Sequence, residues 1–183
     1  PPCSGTPAGS GATCTPLSLC SGNTATLGLT TNYTQPGITF QWRSAPSGTG
    51  PWTNIVGATS QTYSGVMNTT LFYQCIVTCT PSGLSTTSGT VSVVVNPSPT
   101  LAISGPTSIC AGQSASLAVS GAATYTWSNG SNLQSQIFTP STTTTYSVIG
   151  MTAGCTGTAA VTITVNPMPT VTIAGSNTVC AGA

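Results

Sequence analysis

The sequence predicts an all-β chain built as tandem antiparallel β-sandwiches, and three observations predict it. Apolar and polar residues alternate with a period of two in short runs, clusters of Gly, Pro, Asn and Ser separate those runs, and no segment carries helical periodicity. An internal repeat is also visible. Asn96-Pro-Ser-Pro-Thr-Leu-Ala-Ile-Ser-Gly-Pro-Thr-Ser-Ile-Cys110-Ala-Gly recurs as Asn166-Pro-Met-Pro-Thr-Val-Thr-Ile-Ala-Gly-Ser-Asn-Thr-Val-Cys180-Ala-Gly, which sets a unit of about 70 residues.

A longer, divergent copy precedes that pair. Pro16-Leu-Ser-Leu-Cys20-Ser-Gly matches Pro106-Thr-Ser-Ile-Cys110-Ala-Gly, Trp42 matches Trp127 and Tyr73 matches Tyr146. The chain therefore divides into a loop-like N-terminal segment over 1–15, a first domain over 16–96, a second over 97–167, and the first strand of a third repeat over 168–183. In the second domain the alternation marks strands at 101–104, 114–120, 124–128, 134–138, 144–149 and 159–165. Short strands at this spacing describe an antiparallel β-sandwich, with Trp42 and Trp127 on the third strand as core anchors.

Composition removes most chemistry. One charged side chain, Arg43, stands in 183 residues, with no Asp, Glu, Lys or His. General acid/base catalysis needs a proton carrier of tunable pKa, and the usual suppliers are absent. A Ser or Cys nucleophile has no His or Lys base beside it. The expectation is no enzyme and no cofactor. Calcium and magnesium sites need carboxylates. A structural zinc site would need paired cysteine knuckles, and only Cys75-x3-Cys79 approaches one. A net charge of +1 offers phosphates nothing, so nucleic-acid partners are not expected. Apolar runs such as Val91 to Val95 fall far short of the ~20 residues that span a bilayer, so membrane insertion is not expected. Eight cysteines point to an oxidising compartment and an extracellular or cell-surface location.

Three groups of residues carry a family resemblance. They are Phe40-Gln-Trp42 with Gly50-Pro-Trp-Thr-Asn-Ile-Val-Gly-Ala-Thr-Ser-Gln-Thr-Tyr63, then Tyr73-Gln-Cys75-Ile-Val-Thr-Cys79, and in the second unit Cys110-Ala-Gly, Tyr125-Thr-Trp127-Ser, Thr142-Thr-Thr-Thr-Tyr146-Ser-Val148, Gly154-Cys155 and Val161-Thr-Ile-Thr-Val165-Asn-Pro. With these the chain resembles the bacterial Ig-like tandem repeats of secreted and cell-surface proteins of the Bacteroidota, including gliding adhesins and other cargo of type IX secretion. Such repeats serve as stalks, adhesins and enzyme spacers, so the resemblance speaks to architecture more than to activity.

Tyr73-Gln-Cys75 and Tyr146-Ser-Val148 resemble the tyrosine corner of Ig domains, which makes Tyr73 and Tyr146 further core anchors at the base of strand F. Cys155 then lies in the loop beyond that strand, and Cys110 in the turn before strand B. The simple expectation is one bridge within each domain, Cys20 to Cys79 and Cys110 to Cys155. A sandwich puts those positions roughly 20 Å apart, beyond the ~5.5 Å Cα separation of a disulfide. Tandem stacking offers another pairing, Cys20 with Cys155, as a staple across a junction. Cys3 and Cys14 can close a local loop, leaving Cys75 and Cys180 without obvious partners.

The tail carries Val171, Ile173 and Val179 as a strand without a sandwich, while residues 4–15 make a poor first strand for domain one. Either the chain is a window on a longer array, or the tail is a subunit-contact strand donated to a neighbouring copy. The sequons at Asn32, Asn68 and Asn129 are unsurprising in so Ser- and Thr-rich a chain, and Thr142 to Thr145 fits an exposed strand. The expected function is a non-enzymatic structural or adhesive rod or filament of Ig-like repeats, partnered by itself, head to tail or laterally, and by surface glycans. The alternative is a carbohydrate-binding or spacer module of a secreted enzyme, with Trp52 and Tyr33 as its aromatic platform.

Overall fold

The computed structural model describes residues 1–175, which form strands and turns with no helix. The described residues divide into two compact units, one of Pro1–Pro99 with Met151–Thr156, the other of Thr100–Gly150 with residues 157–175.

The first unit begins with β1 (Ala12–Thr15), β2 (Ser18–Cys20), β3 (Asn23–Leu29), β4 (Ile38–Ala45) and β5 (Thr53–Asn54). It continues with β6 (Tyr63–Met67), β7 (Leu71–Cys79), β8 (Leu84–Thr87) and β9 (Val91–Asn96). One sheet runs β1-β3-β6 and the other β2-β9-β7-β4-β5, with β8 also on β7. The first strand of the sandwich is split: β1 pairs antiparallel with β3, the chain crosses at the cis Thr15-Pro16 peptide, and β2 pairs parallel with β9. That split, with strands C, F and G in one sheet and B and E in the other, is an Ig-like sandwich. Alternating residues on β3, β4 and β7 meet between the sheets, where Ala25, Leu27, Trp42, Cys75 and Val77 are buried.

Two expectations are corrected here. Residues 1–15 are not simply loop-like, because Ala12–Thr15 forms β1, with Cys14 opposite Leu27. The Gly, Ser and Ala residues that obscure the strand in sequence gain their order from the ladder to β3. The sheet that a donated strand would have completed therefore already carries its own first strand.

The second unit repeats the plan with β10 (Ala102–Ser104), β11 (Ser108–Cys110), β12 (Ala115–Ser120), β13 (Thr124–Trp127) and β14 (Ser135–Phe138). β15 (Thr144–Thr152) and β16 (Cys155–Asn166) complete it. Its sheets run β10-β12-β14 and β11-β16-β15-β13. β11, which periodicity does not reveal, pairs parallel with β16, so Cys110 lies in a strand rather than in the expected turn. Trp127, Leu117, Val119, Val148 and Ile163 form the core, with Phe138 edge-on to Trp127 at 5.4 Å. Gly121 holds φ 104° against the backbone of the entering chain. A Cβ there would meet the Thr100 carbonyl oxygen at 2.0 Å.

Past β16, residues 167–175 form no strand, and Val171 and Ile173 are exposed. The expected strand over 168–183 is thus absent from its described part, because β geometry needs a ladder partner and these residues have none. Val179 and Cys180 lie outside the described residues.

Candidate functional site

Four cysteines form two bonds. Cys3 joins Cys79 with a Cα separation of 5.8 Å, and Cys20 joins Cys155 with one of 5.6 Å. The expected bridges Cys20 to Cys79 and Cys110 to Cys155 are corrected, as is the local loop between Cys3 and Cys14. Cys79 ends β7 beside Gly37 and Pro36, whose carbonyl accepts from the Cys3 amide at 3.0 Å, so the N-terminal segment holds Cys3 next to it. Cys20 takes the pairing read from tandem stacking. Its partner opens β16, and residues 151–156 belong to the first unit.

Among the described residues Cys14, Cys75 and Cys110 are free thiols, the first two buried and the last exposed. Cys75 sits where an Ig domain carries the second cysteine of its inter-sheet bridge, but β3 supplies Ala25 and Leu27 on the facing layer. Burial pushes the Cys75 thiol from the ordinary 9.0 up to about 11, and burial also raises Cys14. A raised thiol pKa means that the folded chain holds its proton more tightly than the unfolded one. Stability is then fully present below pH 9.0 and is lost as the pH rises toward about 11. The expected loss from Cys75 alone is about 2–3 kcal/mol. Urea titrations at pH 8, 9.5 and 11, with Cys110 alkylated beforehand to prevent exchange, check this, and an unchanged midpoint would refute it.

Arg43, the lone charged side chain, lies on β4 opposite Gln74 of β7 and Asn54 of β5. With the Gln74 amide oriented to satisfy its neighbours, its oxygen accepts from Arg43 Nε and Nη2 and from Trp52 Nε1, each at 3.0 Å. The guanidinium also lies over the Trp52 ring, 5.6 Å from its centre. Gln74 is buried, and nothing in its sequence neighbourhood signals this role. The cluster is the chain's answer to a half-buried cation without a carboxylate: one amide oxygen and one indole face replace the counter-ion. Trp52 also packs on the Gly50-Pro51 turn, 2.9 Å from where a Gly50 Cβ would stand.

Tyr33, the other platform candidate, borders a cavity of about 510 Å³ lined by residues 1–8 together with Thr31, Asn32, Gln35, Ile38 and Cys79. Its ring meets Phe40 edge-on at 5.8 Å and its hydroxyl donates to the Ala8 carbonyl. Thr31 Oγ1 donates to the Gly9 carbonyl at 3.0 Å, and Ser82 Oγ to the Gly5 carbonyl at 2.8 Å. The segment is thus a strap over the cavity, held at Cys3 by the disulfide and at residues 8–9 by hydrogen bonds. No charged side chain lines the cavity, and its walls are polar and partly aromatic. Trp52 does not border it, so the two platform residues do not share a site.

The core anchors are buried or half-buried. Trp42 Nε1 donates to the Ser60 carbonyl at 3.0 Å and Trp127 Nε1 to the Leu133 carbonyl at 2.8 Å. Tyr73 is buried, but its hydroxyl contacts the Met67 sulfur at 3.1 Å rather than the upstream backbone of a tyrosine corner. Tyr146 is half-buried and stacks on Phe138 at 3.9 Å. Sequence reasoning missed Ser88, which fills the break between β8 and β9. Its hydroxyl accepts from the Cys75 amide at 2.8 Å and its own amide donates to the Cys75 carbonyl at 2.9 Å.

Residues 9–97 match the model of a family described as a domain of unknown function, DUF8696, and that span holds β1 through β9. No curated protein matches the chain. Among solved structures, the three N-terminal domains of the bacteriophage RB49 highly immunogenic outer capsid protein are 16% identical, with a TM-score of 0.42 over 85% of this chain. The chain spans 58% of that protein's length. The mouse nectin-like molecule 4 ectodomain of three Ig domains is 16% identical, covering 90% of this chain and 66% of its own, with a TM-score of 0.36. The amphioxus IgVJ-C2 molecule is 17% identical, covering 80% of this chain and 99% of its own, also at 0.36.

Proposed function

We propose that the chain is a non-enzymatic structural or adhesive segment of a bacterial extracellular protein, in which Ig-like units in tandem form a rod or filament at the cell surface. The observation that carries this reading is how the first unit is held. Two disulfides of long sequence separation, 76 and 135 residues, enclose a sandwich whose lone cation is satisfied by an amide and an indole. Such bonds persist in oxidising surroundings, and a chain with no carboxylate, lysine or imidazole keeps its packing across changes of salt and of pH below about 9. Self-association is supported by the sheet edges. β6 and β14 are edge strands exposing Val66 and Ile137, and the sequence has no lysine with which to guard them.

Electron micrographs of purified material at millimolar ionic strength and at 1 M salt should show fibres or bundles of the same width. Dispersed particles at both would count against the filament.

The second reading, a glycan-binding module of a secreted enzyme, is favoured by the strapped cavity beside Tyr33. A platform at Trp52 predicts loss of glycan-array binding in Trp52→Ala, whereas a ligand in the cavity predicts loss in Tyr33→Ala with Trp52→Ala unaffected. Arg43 over the Trp52 ring leads us to expect no change in Trp52→Ala.

A further inference from the structure

The two disulfides share a design that the repeat alone does not show. Cys3, Cys20 and Cys110 each begin a Cys-Ser-Gly or Cys-Ala-Gly turn, and the glycine two residues on is left-handed in all three: Gly5 at φ 73°, Gly22 at 86° and Gly112 at 82°. Each bonded partner lies at the turn between strand F (β7 or β15) and strand G (β8 with β9, or β16). Cys79 ends β7 before the turn closed by Gly83 N to Cys79 O at 2.9 Å, and Cys155 follows the left-handed pair Ala153 and Gly154. Two of the three turns are therefore occupied by an F–G cysteine, while the third bears the exposed free thiol of Cys110.

The strands that carry Cys20 and Cys110 share their ladder pairing and three hydrogen bonds. Cys20 stands opposite Asn96 in the parallel pairing of β2 with β9, and Cys110 opposite Asn166 in that of β11 with β16. The Ser21 amide donates to Asn96 O and the Ala111 amide to Asn166 O, each at 2.9 Å. Asn96 Nδ2 donates to Ser18 Oγ at 3.1 Å and Asn166 Nδ2 to Ser108 Oγ at 2.8 Å. Val94 N donates to Leu17 O, and Thr164 N to Thr107 O, both at 2.9 Å. Around Cys20 this frame receives the incoming turn, with Cys155 Sγ 3.7 Å from Asn96 O. The same frame is built around a thiol that faces solvent.

We propose that Cys110 is a covalent docking position for the F–G turn cysteine of another Ig-like unit of this type. The inference rests on the array reading above and names its joint. In the step, the Cys110 thiol and the incoming thiol lose two protons and two electrons as the S–S bond forms. A disulfide oxidant accepts both and is reduced to two thiols. The incoming unit comes either from a second copy or from the same polypeptide, and the chemistry at Cys110 is identical.

Two variants release an F–G cysteine from its bond in this chain: Cys3→Ser frees Cys79, and Cys20→Ser frees Cys155. Each is mixed with equimolar wild type in oxidised glutathione and mapped without reduction, using a protease other than trypsin because Arg43 is the single tryptic site. The expected products are chains linked Cys79 to Cys110 in the first mixture and Cys155 to Cys110 in the second, at least tenfold above any other intermolecular pair. Introducing Cys110→Ser into both chains of each mixture should remove them. Linkage that persists with Cys110→Ser, or runs through Cys14, Cys75 or Cys180 instead, overturns the proposal. Where one variant fails to fold, the other mixture decides. If both fail, the folded wild type is offered the peptide of residues 149–160 as a mixed disulfide. Capture at Cys110 at least tenfold faster than in the urea-unfolded chain supports the proposal, and equal rates overturn it.

In material from the natural source, Cys110 bonded at unchanged chain mass assigns the partner to the same polypeptide, and doubled mass assigns it to another copy. A free Cys110 there, in micrographically intact fibres, overturns the joint while leaving the architecture standing.

Discussion

Trp42→Ala should lower the unfolding free energy of the first sandwich by about 3–5 kcal/mol, the range for emptying an aromatic site in a packed core. Trp42 is fully buried, faces Cys75 across the ladder from β4 to β7, and shares one core cluster with Leu27 of the facing sheet and Val77 and Val93 of its own. The substitution removes those contacts and also the indole donor to Ser60, leaving a carbonyl half-satisfied. Total stability for a domain of this size is about 5–15 kcal/mol, so the loss takes a large share of it. Trp127 and Trp52 remain as fluorescent reporters in the two units. Urea melts followed by their emission should show the early transition in the first unit only. Trp42→Phe, which keeps most of the volume and loses the hydrogen bond, should fall between the two. A loss below about 1 kcal/mol for Trp42→Ala would mean that the indole is not the anchor its burial indicates.

Removing the Cys3–Cys79 bond should cost the same unit about 4–5 kcal/mol on the chain-entropy account, because the bond closes a loop of 76 residues. The double variant Cys3→Ala with Cys79→Ala is preferred to reduction, which would also open Cys20–Cys155. The strap over the Tyr33 cavity should loosen with it. Protease nicking within residues 4–9 should rise well before the sandwich unfolds, since beyond Cys3 the segment is held by hydrogen bonds from Tyr33, Thr31 and Ser82. An unchanged midpoint with unchanged nicking would show that the strap is held without its bond.

These two effects also mark how far reading the residues can go. Trp42 and Trp127 were legible because a large apolar ring in an alternating run, in the same place in two repeats, has few destinations other than the layer between sheets. The strands of the second unit were legible to within a few residues for the same reason. β11 was not, since three residues paired in parallel carry no period of their own, and β1 was not, since four residues preceded by a Gly- and Ser-rich run are too few to show a period and are ordered by β3. The platform reading of Trp52 and Tyr33 rested on residue type. Where the rings lie depended on Gln74 and Ala8, remote in sequence from each.

The disulfides divide along the same line. Eight cysteines and an almost uncharged composition told of an oxidising setting and of a chain short of acid/base chemistry, because those are properties of residue inventory. Which thiols meet is a property of distance. Cys20 finds Cys155 rather than Cys79, and Cys14 and Cys75 stay apart and protonated in one core. Alternation along the chain sufficed to establish sheets, repeats and buried tryptophans, since each is written in neighbours. Strand pairing, cystine partners and the amide that satisfies Arg43 were settled only when the fold brought residues tens of positions apart to within a few ångströms, where bonds of fixed length and direction admit one partner and refuse the rest.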